Sequence, residues 1–194
     1  RTVAVAQVNG AARIFVAAGS SCNYCQEHEV MRAAVVSMDP DGQHPAIVAQ
    51  GLRNAVGLHW VAELDGGALF VTDMGDDHLG DRLPEDTFFE LDKAPRTVPN
   101  YGWPTCYFAQ GKPVLDTTPL PSLDDPQKIA PVPAGDAGDS VYGKQHGVAV
   151  AGTNLAAGGG HAPEVDPNAA LGRVPEALKS CEHVPTAYTT FTAH

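Results

Sequence analysis

The chain is expected to be all-β, part of a β-propeller, with about two blades interrupted by a long Pro/Gly-rich insertion. Three observations predict the β-propeller class. Residues 1–92 are a succession of short apolar or alternating runs broken by glycine turns, and none of them sustains a helical period. A stretch near the N-terminus recurs further on: VAVAQVNGAARIFVAAGSS aligns with VGLHWVAELDGGALFVTDMGD, each a β-run, a glycine turn and an apolar strand ending in a small or acidic loop. Phe15 and Phe70 hold matching places 55 residues apart, and a period near that length in short antiparallel strands argues for one repeat per blade. Two similar hairpins in a sandwich are the alternative.

Taken in order, Thr2 to Val8 forms a strand, Asn9-Gly10 is a hairpin turn signal, and Arg13 to Ala17 returns. Ala33 to Met38 and Ala46 to Gln50 form a second pair joined by Asp39-Pro40-Asp41-Gly42, where Pro and Gly suit the turn dihedrals. Val56 to Val61 and Ala68 to Thr72 flank the turn Asp65-Gly66-Gly67. From Pro95 the character changes. Residues 104–185 hold most of the prolines and the run Gly158-Gly159-Gly160, and only 145–151 suggests a strand. The expected organisation is therefore propeller blades over 1–104, a long loop over 105–187, and the start of a next blade over 188–194. A propeller needs about four to eight blades, so the chain is expected to be a fragment.

Composition narrows the function classes. The net charge is -11, from 12 Lys+Arg against 23 Asp+Glu, which opposes nucleic-acid binding, since that requires cations to displace condensed counterions. It suits a protein handling cations or neutral small molecules. No apolar run approaches the roughly 18 residues of a membrane span. Of the four cysteines, Cys22 and Cys25 form a CxxC followed by Gln26, where haem attachment would need His. Cys106 and Cys181 stand too far apart to be a second zinc pair. Two structural disulfides are expected, hence an oxidising compartment, periplasmic or secreted. A Cys106–Cys181 bridge closes a loop of about 75 residues and removes about 4.5 kcal/mol of unfolded-chain entropy in the simple model.

Several motifs occur in an order that resembles a known family. They are Val16 to Asn23 with Cys25, Gly51-Leu52-Arg53-Asn54 through Gly57-Leu58, Thr72 to Asp76 with Leu79-Gly80-Asp81, Leu83-Pro84-Glu85-Asp86, and Asn100-Tyr101-Gly102-Trp103-Pro104 with Cys106. Together they resemble the soluble quinoproteins, the glucose/sorbosone and pyranose dehydrogenases that use pyrroloquinoline quinone (PQQ). The resemblance implies six blades with PQQ in a central cleft, bound through Ca²⁺. The cofactor-contacting Arg-Asn pair falls on Arg53 and Asn54, and the calcium-binding backbone carbonyls fall on Gly75 and Asp76. The family's general base, a histidine, would lie just upstream of Arg1, so no catalytic residue is expected here and the fragment alone should be inactive. The chain departs from the pattern at Asp86-Thr87-Phe88-Phe89, where many relatives have Asp-Glu-Leu-Asn.

Each residue also has a physical case. Arg53 carries a permanent cation in a planar fork, suited to a carboxylate or a developing oxyanion; its bland alternative is a surface ion pair with an acid such as Asp73. Asn54 can donate and accept beside it, or simply serve a turn. Asp73, Gly75, Asp76, Asp77, Asp81 and Asp86 offer hard oxygen donors of the kind Ca²⁺ selects, or are an ordinary acidic loop. His28, His44, His59 and His78 show no paired metal-ligand spacing. His28 and His44 read as solvent loops, His59 as core or lining, and His78 as a residue that could face the cleft. Trp60 and Trp103 read as packing rather than sugar-stacking residues.

The function these expectations describe is hydride transfer from a sugar or polyol to Ca²⁺-bound PQQ, with an external electron acceptor or cytochrome, and with neither nucleic acid nor membrane span involved. The alternatives are a calcium-dependent propeller lactonase and a non-catalytic propeller scaffold.

Overall fold

The computed structural model describes residues 2–121 except 65 and 81, and 171–191 except 172, 173 and 175. The strand expected over 145–151, the glycine run 158–160, Asp65, Asp81 and His194 lie outside the described residues. Ten strands follow in order: β1 (Thr2–Val8), β2 (Ala11–Ala18), β3 (Ala34–Met38), β4 (Ala46–Gln50), β5 (Asn54–Val61), β6 (Ala68–Met74), β7 (Asp86–Leu91), β8 (Cys106–Ala109), β9 (Lys112–Leu115) and β10 (Thr189–Phe191). No helix occurs among the described residues, so none there is long and apolar enough to cross a membrane.

The protein is all-β, with antiparallel sheets that do not close. β1-β2-β3-β4 form one four-stranded meander, β10-β7-β6-β5 a second, and β8-β9 a separate hairpin. Local chemistry accounts for the first. Asn9 and Gly10 take φ of 52° and 81°, the left-handed pair that a two-residue hairpin needs and that Asn-Gly tolerates best. The turn sets Ala4 opposite Phe15 and Ala6 opposite Arg13. The period of two then buries Ala4, Ala6 and Val8 while Val3 and Val5 stay outside.

The main core lies between the buried face of the first sheet (Phe15, Ala17, Val35), one face of the second (Leu58, Leu69, Val71, Phe89, Leu91) and the β8-β9 hairpin (Cys106, Phe108). Each such large side chain stabilises the fold by about 1.5–3 kcal/mol through apolar burial. Phe89 anchors the centre, its ring edge-on to Tyr101 at 4.7 Å and to Phe108 at 5.6 Å. On the far face of the second sheet Phe70 stacks on Phe88 at 5.2 Å. Where the sheets meet, β1 and β5 run close together and the Thr2 hydroxyl donates to the Val56 carbonyl at 2.6 Å.

Three expectations change. The described part of 188–194 does not begin a further sheet: β10 (Thr189–Phe191) pairs with β7 and becomes the outer strand of the second. The segment after 104 is not loop from its start, because β8 and β9 form a hairpin whose Phe108 enters the core. His59 is exposed rather than core, since a register shift between Ala55 and Gly57 turns Val56 outward and leaves Leu58 and His59 on opposite faces. Both expected disulfides are present, Cys22–Cys25 and Cys106–Cys181.

Candidate functional site

The site is built from four loops at one end of the sheets: 19–33 after β2, 51–53 before β5, 75–85 after β6, and the segment following β9. Arg53 and Asn54 enter β5 over a buried carboxylate. Asp73 Oδ1 accepts the Asn54 amide at 2.8 Å and Oδ2 accepts the Arg53 amide at 3.1 Å. Burial lifts the Asp73 carboxyl to about 7, against the pull of those two N–H donors and the Arg53 charge. Asp73 is therefore an internal backbone anchor, not the surface partner of the Arg53 guanidinium.

That guanidinium turns the other way. Its Nη2 donates to Asn23 Oδ1 at 2.7 Å and lies 3.4 Å from Asp77 Oδ2. Asp77 is 78% exposed and Arg53 only 12%, so the ion pair is screened and weak, and the bond to Asn23 sets the direction of the fork. Arg53 Nε is buried with no hydrogen-bond partner. Arg53 lines a pocket of about 30 Å³, enough for one water. Asn54 turns its side chain toward Gly19, where a Cβ would stand 2.8 Å from Asn54 Oδ1 and would require that amide to move.

Gly75 and Asp76 follow β6 directly. The Gly75 amide donates to Asp86 Oδ1 at 3.0 Å, and a Cβ at Gly75 would meet Pro84 Cγ at 2.3 Å. The Asp76 carboxylate is buried and faces His78 Nδ1 at 2.6 Å, while His78 Nε2 meets Asp116 Oδ2 at 2.8 Å. The first contact is close but off the line of a hydrogen bond, which leaves Asp76 Oδ1 and His78 Nδ1 without one. Burial raises the Asp76 carboxyl, opposed by His78 and Arg53. Burial also acts to raise Asp116, but Thr118 and His78 outweigh it and hold that carboxyl low. The Tyr24 ring covers His78 at 4.1 Å, and burial with the Asp116 and Asp76 charges pushes its hydroxyl up to about 12. Both nitrogens of His78 face carboxylates, Nε2 hydrogen-bonded to Asp116 and Nδ1 close to Asp76 without bonding to it.

Arg53, Gly75 and Asp76 thus line one small pocket, together with Asp73, Glu85 and Tyr101. Outside it, Met74, Gly75, Asp76, Asp77, Leu83 and Asp86 line an open basin of about 300 Å³. Arg53 does not line the basin, and Asn54 lines neither space. The carboxylates and carbonyls around the basin are oxygen donors of the kind Ca²⁺ takes, beside the Met74 thioether. Cys22, Cys25 and Glu27 also bring potential ligand atoms within 4.8 Å of one another. The sulfurs there are bonded to each other and Glu27 accepts from the Ser21 amide and hydroxyl, so no thiolate exists to hold a metal.

Sequence reasoning gave no role to Asn23, Tyr24, Glu85 or Asp116. Asn23 and Glu85 stood within the ordered motifs, but nothing there marked what they would hold. Asp116 lies 38 residues from His78, with no local signal linking them. No protein-family model, curated protein or solved structure matches the chain.

Proposed function

We propose that this chain carries the cofactor-holding part of a quinone-dependent sugar dehydrogenase of β-propeller architecture, periplasmic or secreted. The single observation that carries the proposal is that Arg53 meets Gly75 and Asp76 at a water-sized pocket, and that Gly75 and Asp76 also line the open basin beside it, where a larger molecule would have to sit. The propeller itself is supported by two four-stranded antiparallel sheets, each begun by a hairpin from one copy of the sequence repeat (β1-β2 and β5-β6), with β1 and β5 side by side. The two disulfides suit an oxidising compartment.

Ca²⁺ would be held by the Gly75 and Asp76 carbonyls and by Asp77. The Asp86 carboxylate accepts the Gly75 amide and so holds the loop in place. When bound, PQQ supplies the acceptor for a hydride from the sugar carbon, and Ca²⁺ the Lewis acidity that polarises it. The chain's own residues do the rest of the holding. Arg53 offers an aimed cation for an anionic cofactor or for charge that develops on it, and removing one such donor commonly costs about 10²- to 10³-fold in rate. Asp73 fixes the Arg53 and Asn54 backbone. His78 is hydrogen-bonded to Asp116 through Nε2 and is assigned no part in taking the sugar hydroxyl proton.

A calcium-dependent hydrolase is less well served. It would need several carboxylate side chains free to converge on the metal, yet Asp73, Asp76, Asp86 and Asp116 each already face an N–H donor or His78.

The test is titration of the chain with PQQ in the presence and absence of Ca²⁺, followed by intrinsic fluorescence, alongside R53A. Ca²⁺-dependent saturation that weakens at least 10-fold in R53A is expected. Saturation unaffected by R53A, or no uptake of PQQ at all, overturns the assignment.

A further inference from the structure

We propose that Asn23 is the positioning residue of this site: a single side-chain oxygen that aims the Arg53 guanidinium and at the same time pins the 75–77 loop. The inference rests on the cofactor reading above for its consequence, and on geometry for its substance.

Asn23 Oδ1 receives two donors from different elements, Arg53 Nη2 at 2.7 Å and the Asp77 amide at 3.0 Å. Two converging N–H groups identify this atom as the oxygen of the amide, and they occupy both of its lone pairs. One of the donors is cationic, which makes that bond shorter and stronger than a neutral one. The other belongs to the residue next to Asp76. Arg53 and the acidic loop are therefore not merely neighbours; they are tied to each other through one atom. Asp77 also approaches the guanidinium through its carboxylate, but at 3.4 Å and 78% exposed it is a solvent-screened, weaker partner. Asn23 is the fixed one.

What holds Asn23 is equally specific. The Cys22–Cys25 disulfide brackets it, with Cys25 fully buried. Trp103 Nε1 donates to the Asn23 carbonyl at 3.2 Å, which ties the short ring to the segment that leads into β8. Tyr24, the next residue, lies over His78. A tight covalent ring presenting one amide oxygen has no need of redox chemistry to be useful: it removes the freedom of 22–25, so the entropy of aiming Arg53 is already spent before a ligand arrives. This also gives the CxxC a role that neither haem attachment nor zinc binding supplies.

The experiment compares Asn23→Ala, Asn23→Ser and Asn23→Asp in the full chain. The probe is PQQ with Ca²⁺, and hydrogen exchange at the Asp77 amide is read in parallel without ligand. Alanine, and serine whose hydroxyl is too short to reach both donors, should speed Asp77 exchange and weaken PQQ about 10- to 100-fold, the loss expected for one bond to a charged donor. Aspartate keeps an acceptor oxygen at the same reach and should restore both readouts to within about threefold of the parent, a rescue that a purely structural role would not show. Aspartate as impaired as alanine, or alanine with unchanged Asp77 exchange, overturns the proposal. If the parent chain binds no PQQ, the cofactor assignment fails by itself. The exchange measurement then still decides whether Asn23 pins the loop.

Discussion

Replacing Phe89 by alanine should be the most damaging single truncation in the second sheet. Phe89 is 2% exposed and sits where that sheet meets the β8-β9 hairpin, edge-on to Tyr101 and Phe108 with ring planes at 65° and 71°. Losing a fully buried phenylalanine costs about 3–5 kcal/mol in transfer and cavity terms. Two edge-to-face pairs, each worth about 0.5–1.5 kcal/mol beyond area, place this site in the upper half of that range. Leucine would refill most of the volume and forfeit mainly the ring pairs, about 1–2 kcal/mol. The internal control is Phe70→Ala. Phe70 lies one strand away on the opposite, partly exposed face, stacked on Phe88 at 5.2 Å, and its loss should cost less than half as much. Urea unfolding followed by far-UV circular dichroism reads all three as shifts of midpoint at constant slope. If Phe70→Ala proves as costly as Phe89→Ala, or Phe89→Ala falls below about 1.5 kcal/mol, the core does not lie between the second sheet and the hairpin.

Glu85 should make stability fall on acidification. Its two oxygens accept the Gln110 and Gly111 amides at 2.9 Å each; burial acts to raise its pKa, but those amides with Thr190 outweigh it and lower the carboxyl. A depressed folded value stabilises above the unfolded value near 4.5 and is lost as pH falls through the folded one. Thermal melts from pH 6 to about 3 should therefore show a drop that Glu85→Gln flattens, and parallel curves would remove Glu85 as the cause. The paired substitution Cys106→Ser with Cys181→Ser should lower the melting temperature by roughly 10–15 °C, given about 4.5 kcal/mol for a 75-residue loop and a chain of this size. A change under about 3 °C would mean that the loop is constrained without the bridge.

The strands that were legible in the sequence are those whose pattern and turn chemistry agree. β1 alternates cleanly and ends on Asn9-Gly10, and β4 coincides with Ala46 to Gln50. β7 is not legible as a strand because Asp86-Thr87-Phe88-Phe89 does not alternate apolar with polar; its Phe-Phe pair serves both faces of one strand, Phe89 inward and Phe88 against Phe70. β8 and β9 escaped because each has four residues and their turn is Gln110-Gly111, a pair that takes the same left-handed φ of 52° and 72° as Asn9-Gly10 without the asparagine that signals it. His59 was misjudged because a bulge breaks the period of two, and a bulge leaves no mark in the alternation itself.

The site shows the same division more sharply. Arg53, Gly75 and Asp76 could be singled out because each is chemically conspicuous and belongs to an ordered set of motifs. The atoms that align them could not, since alignment is a property of distance across the chain: Asn23 reaches Asp77 over 54 positions and Trp103 reaches Asn23 over 80. This asymmetry has a physical source. A group that meets a ligand must carry charge or a special backbone, which restricts its identity. A group that aims another needs only one oxygen at the right place, and many side chains offer that. What marks Asn23 is the rigidity behind it, a disulfide on both flanks and an indole N–H on its carbonyl. Short covalent rings that present a polar side chain to a buried cation are therefore where aligning residues should be sought, ahead of the charged residues they serve.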